Sequence, residues 1–195
     1  LLVLPDGIDR YLRQQRSEVA SADGYVAAIE GEFALLRDRL VPGDALDIGC
    51  GLGGMSALIA HHCGGMLHLM DGTGWADRRT GFGPDMDAFN DMHLTAEMMR
   101  LNGVARYKPW PIGAADIPPV DNIVSLLSWG WHYPVETYLP LARRILRPGG
   151  RLILDIRAGT LGRHTLGGHF TALPDIGPTS GHKGHRTVWQ RRVGG

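Results

Sequence analysis

Leu46-Asp47-Ile48-Gly49-Cys50-Gly51-Leu52-Gly53-Gly54 is an apolar segment that ends in an acid and runs at once into a G-x-G-x-G turn. The next residues, Met55-Ser56-Ala57-Leu58-Ile59-Ala60-His61-His62, read as a helix. Strand, tight glycine turn and helix N-terminus together let a backbone approach a nucleotide-like ligand closely.

Outward from this stretch, short apolar runs alternate with helical patterns. Strands are expected at 45–48, 66–71, 104–110, 121–127 and 151–157, with helices at 53–62, 86–101 and 135–146. This alternation predicts an α/β chain with a parallel, doubly wound sheet. Asn102-Gly103 and Pro148-Gly149-Gly150 read as helix stops, each suited to a left-handed cap or turn. Upstream, residues 6–18 and 23–40 read as helices. In the second, Tyr25, Ile29, Phe33, Leu36 and Leu40 recur at three- and four-residue spacing as an apolar face. Residues 158–185 hold many Gly and Pro and read as mostly loop, while His185 to Val193 alternates as a last strand. The expected organisation is one domain over 1–195, with an N-terminal helical segment (1–42), a ligand-binding core (43–157) and a loop-rich tail (158–195). Residues 72–85 form a long Gly-rich connection of the kind used as a lid or binding loop.

At 195 residues and 44% hydrophobic content, the chain has enough apolar mass for a sizeable core. Lys+Arg and Asp+Glu are both 20, so net charge offers no argument for nucleic acid or an anionic membrane as partner. Arg186, Arg191 and Arg192 cluster near the end and read as a solvated terminal strand. The 2 cysteines, Cys50 and Cys63, flank a predicted helix and read as structural rather than as a disulfide framework. No apolar run approaches the roughly 18 residues of a membrane span, and no signal peptide is evident, so the expected location is cytoplasmic.

Over residues 30–157 the chain resembles the class I S-adenosylmethionine-dependent methyltransferases. Leu46 to Gly53 matches that family's first motif, and Leu67-His68-Leu69-Met70-Asp71-Gly72 its second strand with the terminal acid. Val120-Asp121-Asn122-Ile123-Val124-Ser125-Leu126-Leu127 matches its fourth strand, and Leu146 to Leu154 the turn into its fifth. The resemblance implies a Rossmann-like, seven-stranded-type, mostly parallel sheet with N-terminal helices, here with a shortened tail. It also implies S-adenosyl-L-methionine as cofactor, cradled by Asp47, Gly49, Cys50, Gly51 and Gly53, with Asp71 and Gly72 at the ribose and Ser128 at the methyl end.

Elementary chemistry supports the same placement. In open α/β sheets the ligand lies beyond the carboxyl ends of the strands, at the switch point, where Asp47, the glycine turn and Asp71 would all lie. A carboxylate ending the second strand can accept both ribose hydroxyls. NAD is the rival ligand. The turn here is G-x-G-x-G-G, and an acid before it is unwelcome near a pyrophosphate but suits the cationic amino end of a methionine moiety. The third strand departs from the family pattern, running Trp110-Pro111-Ile112-Gly113-Ala114-Ala115-Asp116. Either Asp116 meets the adenine from a shifted position or backbone groups at Ile112 and Gly113 hold it; the second reading is preferred.

Methyl transfer from a sulfonium is an in-line displacement in which the protein mainly orients the acceptor and excludes water. A hydroxyl acceptor also needs its proton removed. Ser128-Trp129-Gly130-Trp131-His132-Tyr133-Pro134 follows the fourth strand; His132 is its candidate general base, a role that suits a near-neutral pKa, or else shapes the loop or caps the helix starting near Val135. Trp129, Trp131 and Tyr133 are candidate walls of the acceptor pocket or stacking partners of the sulfonium, and equally candidate core or loop anchors. Asp155 and Arg157 share one strand face; either could meet a polar acceptor or form a plain ion pair. In the loop after Asp71, which also holds Asp77, Trp75 is a candidate cover for adenine or substrate, and Arg78 and Arg79 are candidate substrate contacts or plain solvated loop charges. No metal is expected, because Leu127-Ser128 ends the fourth strand without an acid and the tail histidines lack paired donors. The expected reaction is methylation of a small-molecule or glycan hydroxyl. An amine acceptor and a catalytically inactive cofactor-binding module are the alternatives.

Overall fold

The computed structural model describes residues 2–14, 21–72, 91–179 and 183–193. Along the chain run α1 (Ile8–Gln14), α2 (Ala22–Leu36), β1 (Gly43–Ile48), α3 (Gly54–Cys63), β2 (Gly64–Met70), α4 (Met92–Leu101) and β3 (Tyr107–Trp110). They are followed by β4 (Val120–Ser125), α5 (Leu139–Ile145), β5 (Leu146–Arg157), α6 (Gly162–Gly167), β6 (Phe170–Pro178) and β7 (Gly184–Arg191). The strands form one sheet in the order β3-β2-β1-β4-β5-β7-β6. Pairs among β1 to β5 are parallel, and β7 lies antiparallel between β5 and β6. The chain leaves β1 toward β2 on one side and returns to β4 on the other. The switch point therefore falls at the carboxyl end of β1, where the glycine turn begins.

The two-residue period of the strands divides the core into two layers. Ala45, Leu67, Leu69, Val124, Ile153 and Val188 pack toward Leu12, Leu36, Ala57, Ile59, Met98 and Met99 of α1 to α4. Leu46, Ile48, Met70, Ile123, Leu152, Leu154 and Trp189 pack toward Leu139, Ala142, Ile145 and Leu166 of α5 and α6. Each fully buried aliphatic side chain contributes about 1.5–3 kcal/mol, so both layers are needed to offset chain entropy. Ser21 caps α2 by accepting from Gly24 N–H, and Asp91 caps α4 by accepting from His93 and Leu94 N–H. Among the described residues, no helix is long and apolar enough to cross a membrane.

Several expectations need correction. The tail is not mostly loop: α6 and β6 lie in it, and β6 and β7 complete the sheet on its β5 side. Pro174, Gly177 and Pro178 hid β6, but β6 is an edge strand with an irregular register between Leu173 and Gly177, where such residues are tolerated. Pro148-Gly149-Gly150 lies inside β5, in the bulge between the Val120–Leu146 and Asn122–Arg151 pairs. The helix expected at 135–146 is a 3-10 turn, Val135–Thr137, followed by α5, whose first turn contains Pro140. β3 begins at Tyr107 rather than 104. The segment 73–90, with Trp75, Asp77, Arg78, Arg79 and the start of the helix expected at 86, lies outside the described residues.

Candidate cofactor cradle and acceptor loop

The glycine turn hangs from β2. Gly49 N–H donates to the Met70 carbonyl at 2.7 Å, and Gly53 N–H to the Cys50 carbonyl at 2.9 Å. Gly49 and Gly53 have φ of 78° and 81°. A Cβ on Gly49 would overlap Ser128, and one on Gly53 would press on Thr95 and Met99, so both conformation and space demand glycine. Asp71 closes the turn from the end of β2. Its Oδ2 accepts Gly51 N–H at 2.7 Å, and its Oδ1 accepts Gly72 N–H at 2.6 Å. The motif thus folds into a cradle with an acid at its lip.

Asp47 lies beneath the cradle, on the strand face that meets α3. It is 4% exposed, and its Oδ2 accepts from Ser56 Oγ at 2.5 Å. Burial pushes its pKa up to about 7, the Ser56 bond opposes this, and the Asp71 charge adds to it. From α2, the Tyr25 hydroxyl accepts Gly54 N–H at 3.2 Å at the start of α3. Burial raises the Tyr25 pKa well above the ordinary phenol range, the Gly54 hydrogen bond opposes this and the nearby Asp47 carboxyl adds to it, so this oxygen stays protonated. Thr95 of α4 donates to the Gly51 carbonyl at 2.7 Å. The Cys50 thiol is buried and its pKa is pushed far up, which makes it an inert filler of the turn. Sequence reading missed Ser56, Tyr25 and Thr95. Ser56 had a signal, since it is the third residue of a helix that opens over the acid; Tyr25 showed only as part of an apolar face.

The loop after β4 sits against this cradle. The Ser128 side chain fills the space above Gly49, and its carbonyl accepts the N–H groups of Trp131, His132 and Tyr133 at 3.1, 2.7 and 3.3 Å. Trp129 does not wall a pocket. It is 0% exposed, donates from Nε1 to the Val135 carbonyl at 2.7 Å and belongs to the core, so it anchors the loop. Trp131 lies over Gly184 at the start of β7, where a Cβ would meet its ring. Tyr133 is partly buried and stacks edge-on with Tyr138, which in turn meets Trp129 edge-on. Burial and the nearby Asp71 charge raise the Tyr133 pKa, and burial, Tyr133 and Asp71 raise Tyr138 to about 12. These two phenols are therefore neutral hydroxyls. Ile112 and Gly113 lie in the turn after β3, closed by Ala114 N–H on the Pro111 carbonyl at 3.1 Å, with Ile112 exposed.

His132 differs from its sequence expectation. Burial and the Arg157 cation push its pKa down to about 4, and its buried Nδ1 has no hydrogen-bond partner. A near-neutral pKa does not hold here: two effects act against the charged ring, so the imidazole is neutral at pH 7 and weakly basic. Arg157 ends β5, and its backbone N–H donates to the Gly130 carbonyl at 3.1 Å. Asp155 is engaged elsewhere, in a buried ion pair with Arg186.

Asp47 and His132 oppose one another as pH changes. Between about pH 4 and 7 the folded chain keeps a proton on Asp47 that the unfolded chain releases, so this group's contribution falls as pH rises. Between about pH 4 and 6.5 the unfolded chain binds a proton at His132 that the folded chain refuses, so that contribution rises with pH. The two slopes largely cancel in the parent protein. Asp47→Asn should make stability climb relative to parent from about pH 4.5 to 6.5, and His132→Gln should make it fall. Urea midpoints read this directly; curves parallel to the parent for both variants would contradict it.

No protein-family model matches the chain, and no curated protein matches it. Solved structures do. TrmN from Thermus thermophilus superposes with a TM-score of 0.59 over 94% of this chain at 18% identity; the chain covers 53% of TrmN, about half its length. Precorrin-6y C5,15-methyltransferase from Geobacter metallireducens matches with a TM-score of 0.52 at 14% identity, covering 91% of this chain and 92% of that one. The [4+2]-cyclase SpnF matches with a TM-score of 0.63 at 14% identity, covering 86% and 83%. Together with the strand order and the glycine-turn motif, these likenesses define a class I S-adenosylmethionine-dependent methyltransferase fold. The [4+2]-cyclase SpnF has a similar fold, so the fold alone does not fix the reaction.

Proposed function

We propose that this chain transfers a methyl group from S-adenosyl-L-methionine to a small-molecule or glycan acceptor, with a hydroxyl oxygen as the atom methylated. The observation that carries the reading is the pair of acids bracketing one glycine turn at the switch point: Asp71 at its lip and Asp47 beneath it. Asp71 would accept the ribose hydroxyls, with Gly72 beside it. Gly49, Cys50, Gly51 and Gly53 would offer a backbone free of side-chain bulk along the methionine moiety, and Asp47 would favour its ammonium group. Backbone at Ile112 and Gly113 would meet the adenine, and Ser128 would close the methyl end. The cofactor supplies a methyl group already activated by a sulfonium leaving group. The chain's own task is then to seat the acceptor in line and exclude water.

On the acceptor side, Trp131 and Tyr133 would shape the pocket, Arg157 would meet a polar group, and Trp75 would cover adenine or acceptor. His132 is the candidate base, acting as a neutral imidazole. Its depressed pKa favours a second reading, in which the acceptor is a neutral amine that attacks without prior loss of a proton. The balance of 20 basic and 20 acidic residues supports neither nucleic acid nor an anionic membrane as acceptor.

Titration calorimetry with S-adenosylmethionine tests the cofactor assignment, and absence of binding by the parent chain would remove it. A methyl-transfer screen over hydroxyl and amine acceptors tests the rest. With a hydroxyl acceptor, His132→Ala should lower turnover about 100-fold while cofactor affinity changes less than about twofold. Unchanged turnover would eliminate His132 as base.

A further inference from the structure

A buried cation on the α2 side of the sheet takes no part in the reading above. Arg186 of β7 is 5% exposed, and its Nε and Nη2 donate to Oδ1 and Oδ2 of Asp155 at 2.9 and 3.0 Å. Asp155 is fully buried near the end of β5, directly opposite Arg186 in the antiparallel register. Glu32 of α2 meets the same guanidinium at 2.9 Å. A buried ion pair is a poor source of net stability, because desolvation of both charges offsets most of their attraction. Its value here lies in what it holds.

Asp155 Oδ2 also accepts Leu127 N–H at 3.1 Å. Among the described residues Leu127 is the only one besides glycine with positive φ, at 51°. A leucine in the left-handed region is strained and persists only where its surroundings enforce it. The next residue is Ser128, whose side chain rests on Gly49 and whose carbonyl gathers the N–H groups of residues 131–133. Contacts thus run without a break from Arg186 through Asp155 and Leu127 to Ser128 and the glycine turn.

We propose that the bidentate Arg186–Asp155 pair is a positioning device: it holds Leu127 in the left-handed conformation that seats loop 127–133 on the glycine turn. Glu32 ties the same cation to α2, the helix whose Tyr25 receives the Gly54 N–H. Arg186 and Asp155 are positioning residues, because they act through Leu127. Naming 127–133 as the acceptor side rests on the methyl-transfer reading; the contacts themselves do not.

The test compares Arg186→Lys with Arg186→Lys/Leu127→Gly. Lysine keeps the charge but loses the two-pronged grip, and glycine adopts the left-handed conformation without being held. In the ligand-free chain, amide exchange over 127–133 should quicken about tenfold in Arg186→Lys, the change expected for one weakened charge-assisted hydrogen bond. Amides of β1 and β4 should keep their rates, and the added Leu127→Gly should restore slow exchange in the loop. S-adenosylmethionine affinity, read by calorimetry, should follow the same loss and recovery. A parent chain that binds no S-adenosylmethionine would end the methyl-transfer reading and leave the exchange data to decide the positioning role. Unchanged exchange at 127–133, an increase spread evenly over every strand, or no recovery with Leu127→Gly would overturn the proposal. Asp155→Asn, which keeps the side chain's shape, carries the same comparison if Arg186→Lys does not fold.

Discussion

Asp71→Ala is expected to weaken S-adenosylmethionine binding by about 100-fold or more, a loss of about 3 kcal/mol. Two effects combine. The carboxylate would be the anchor for the ribose hydroxyls, and charge-assisted hydrogen bonds of this type contribute about 1.5–3 kcal/mol. The same carboxylate already holds Gly51 N–H and Gly72 N–H, so its removal also loosens the cradle before any ligand arrives. Asp71→Asn separates the two. Its amide oxygen can still accept one backbone N–H, so the turn should largely survive while affinity still drops more than about tenfold. Calorimetry on folded variants reads both, and an Asp71→Ala affinity within about threefold of the parent would remove Asp71 from the ribose site.

Gly49→Ala should destabilise the fold itself, by about 2–5 kcal/mol. A left-handed alanine costs about 1–2 kcal/mol, and forcing a methyl group into packed space costs about 1–3 kcal/mol more. The new Cβ would overlap both Cβ and Oγ of Ser128, which the loop cannot withdraw without breaking the turn around the Ser128 carbonyl. Gly113→Ala is the control. Gly113 has φ of 83°, but nothing lies near the position of an added Cβ, so only the conformational cost of about 1–2 kcal/mol applies. Chemical denaturation of both variants reads the difference. Equal losses would mean that the Ser128 contact does not constrain Gly49.

How much of the site was legible beforehand depended on the range of each contact. Asp47, Gly49 to Gly53 and Asp71 announced themselves, because a tight turn after a parallel strand imposes local demands that few residues meet. Arg186 did not. It read as one of three solvated arginines on a terminal strand, yet it is buried against Asp155 and Glu32, partners distant in sequence. Trp129 and His132 show the same limit from another side. Both sit in the loop that the motif pattern marks as functional, but burial in one case, and burial plus a nearby cation in the other, settles what each can do.

The amino-acid sequence by itself determined the alternation of strand and helix, the glycine turn and the two acids around it, because periodicity and turn chemistry act over a few residues. Only the tertiary structure decided that the Gly- and Pro-rich tail completes the sheet, since edge strands tolerate residues that propensity forbids. It also decided that Trp129 is an anchor, that the His132 imidazole is neutral, and that a buried cation holds a strained leucine beside the cradle. Burial, charge proximity and long-range pairing are properties of the folded chain, and no local pattern encodes them.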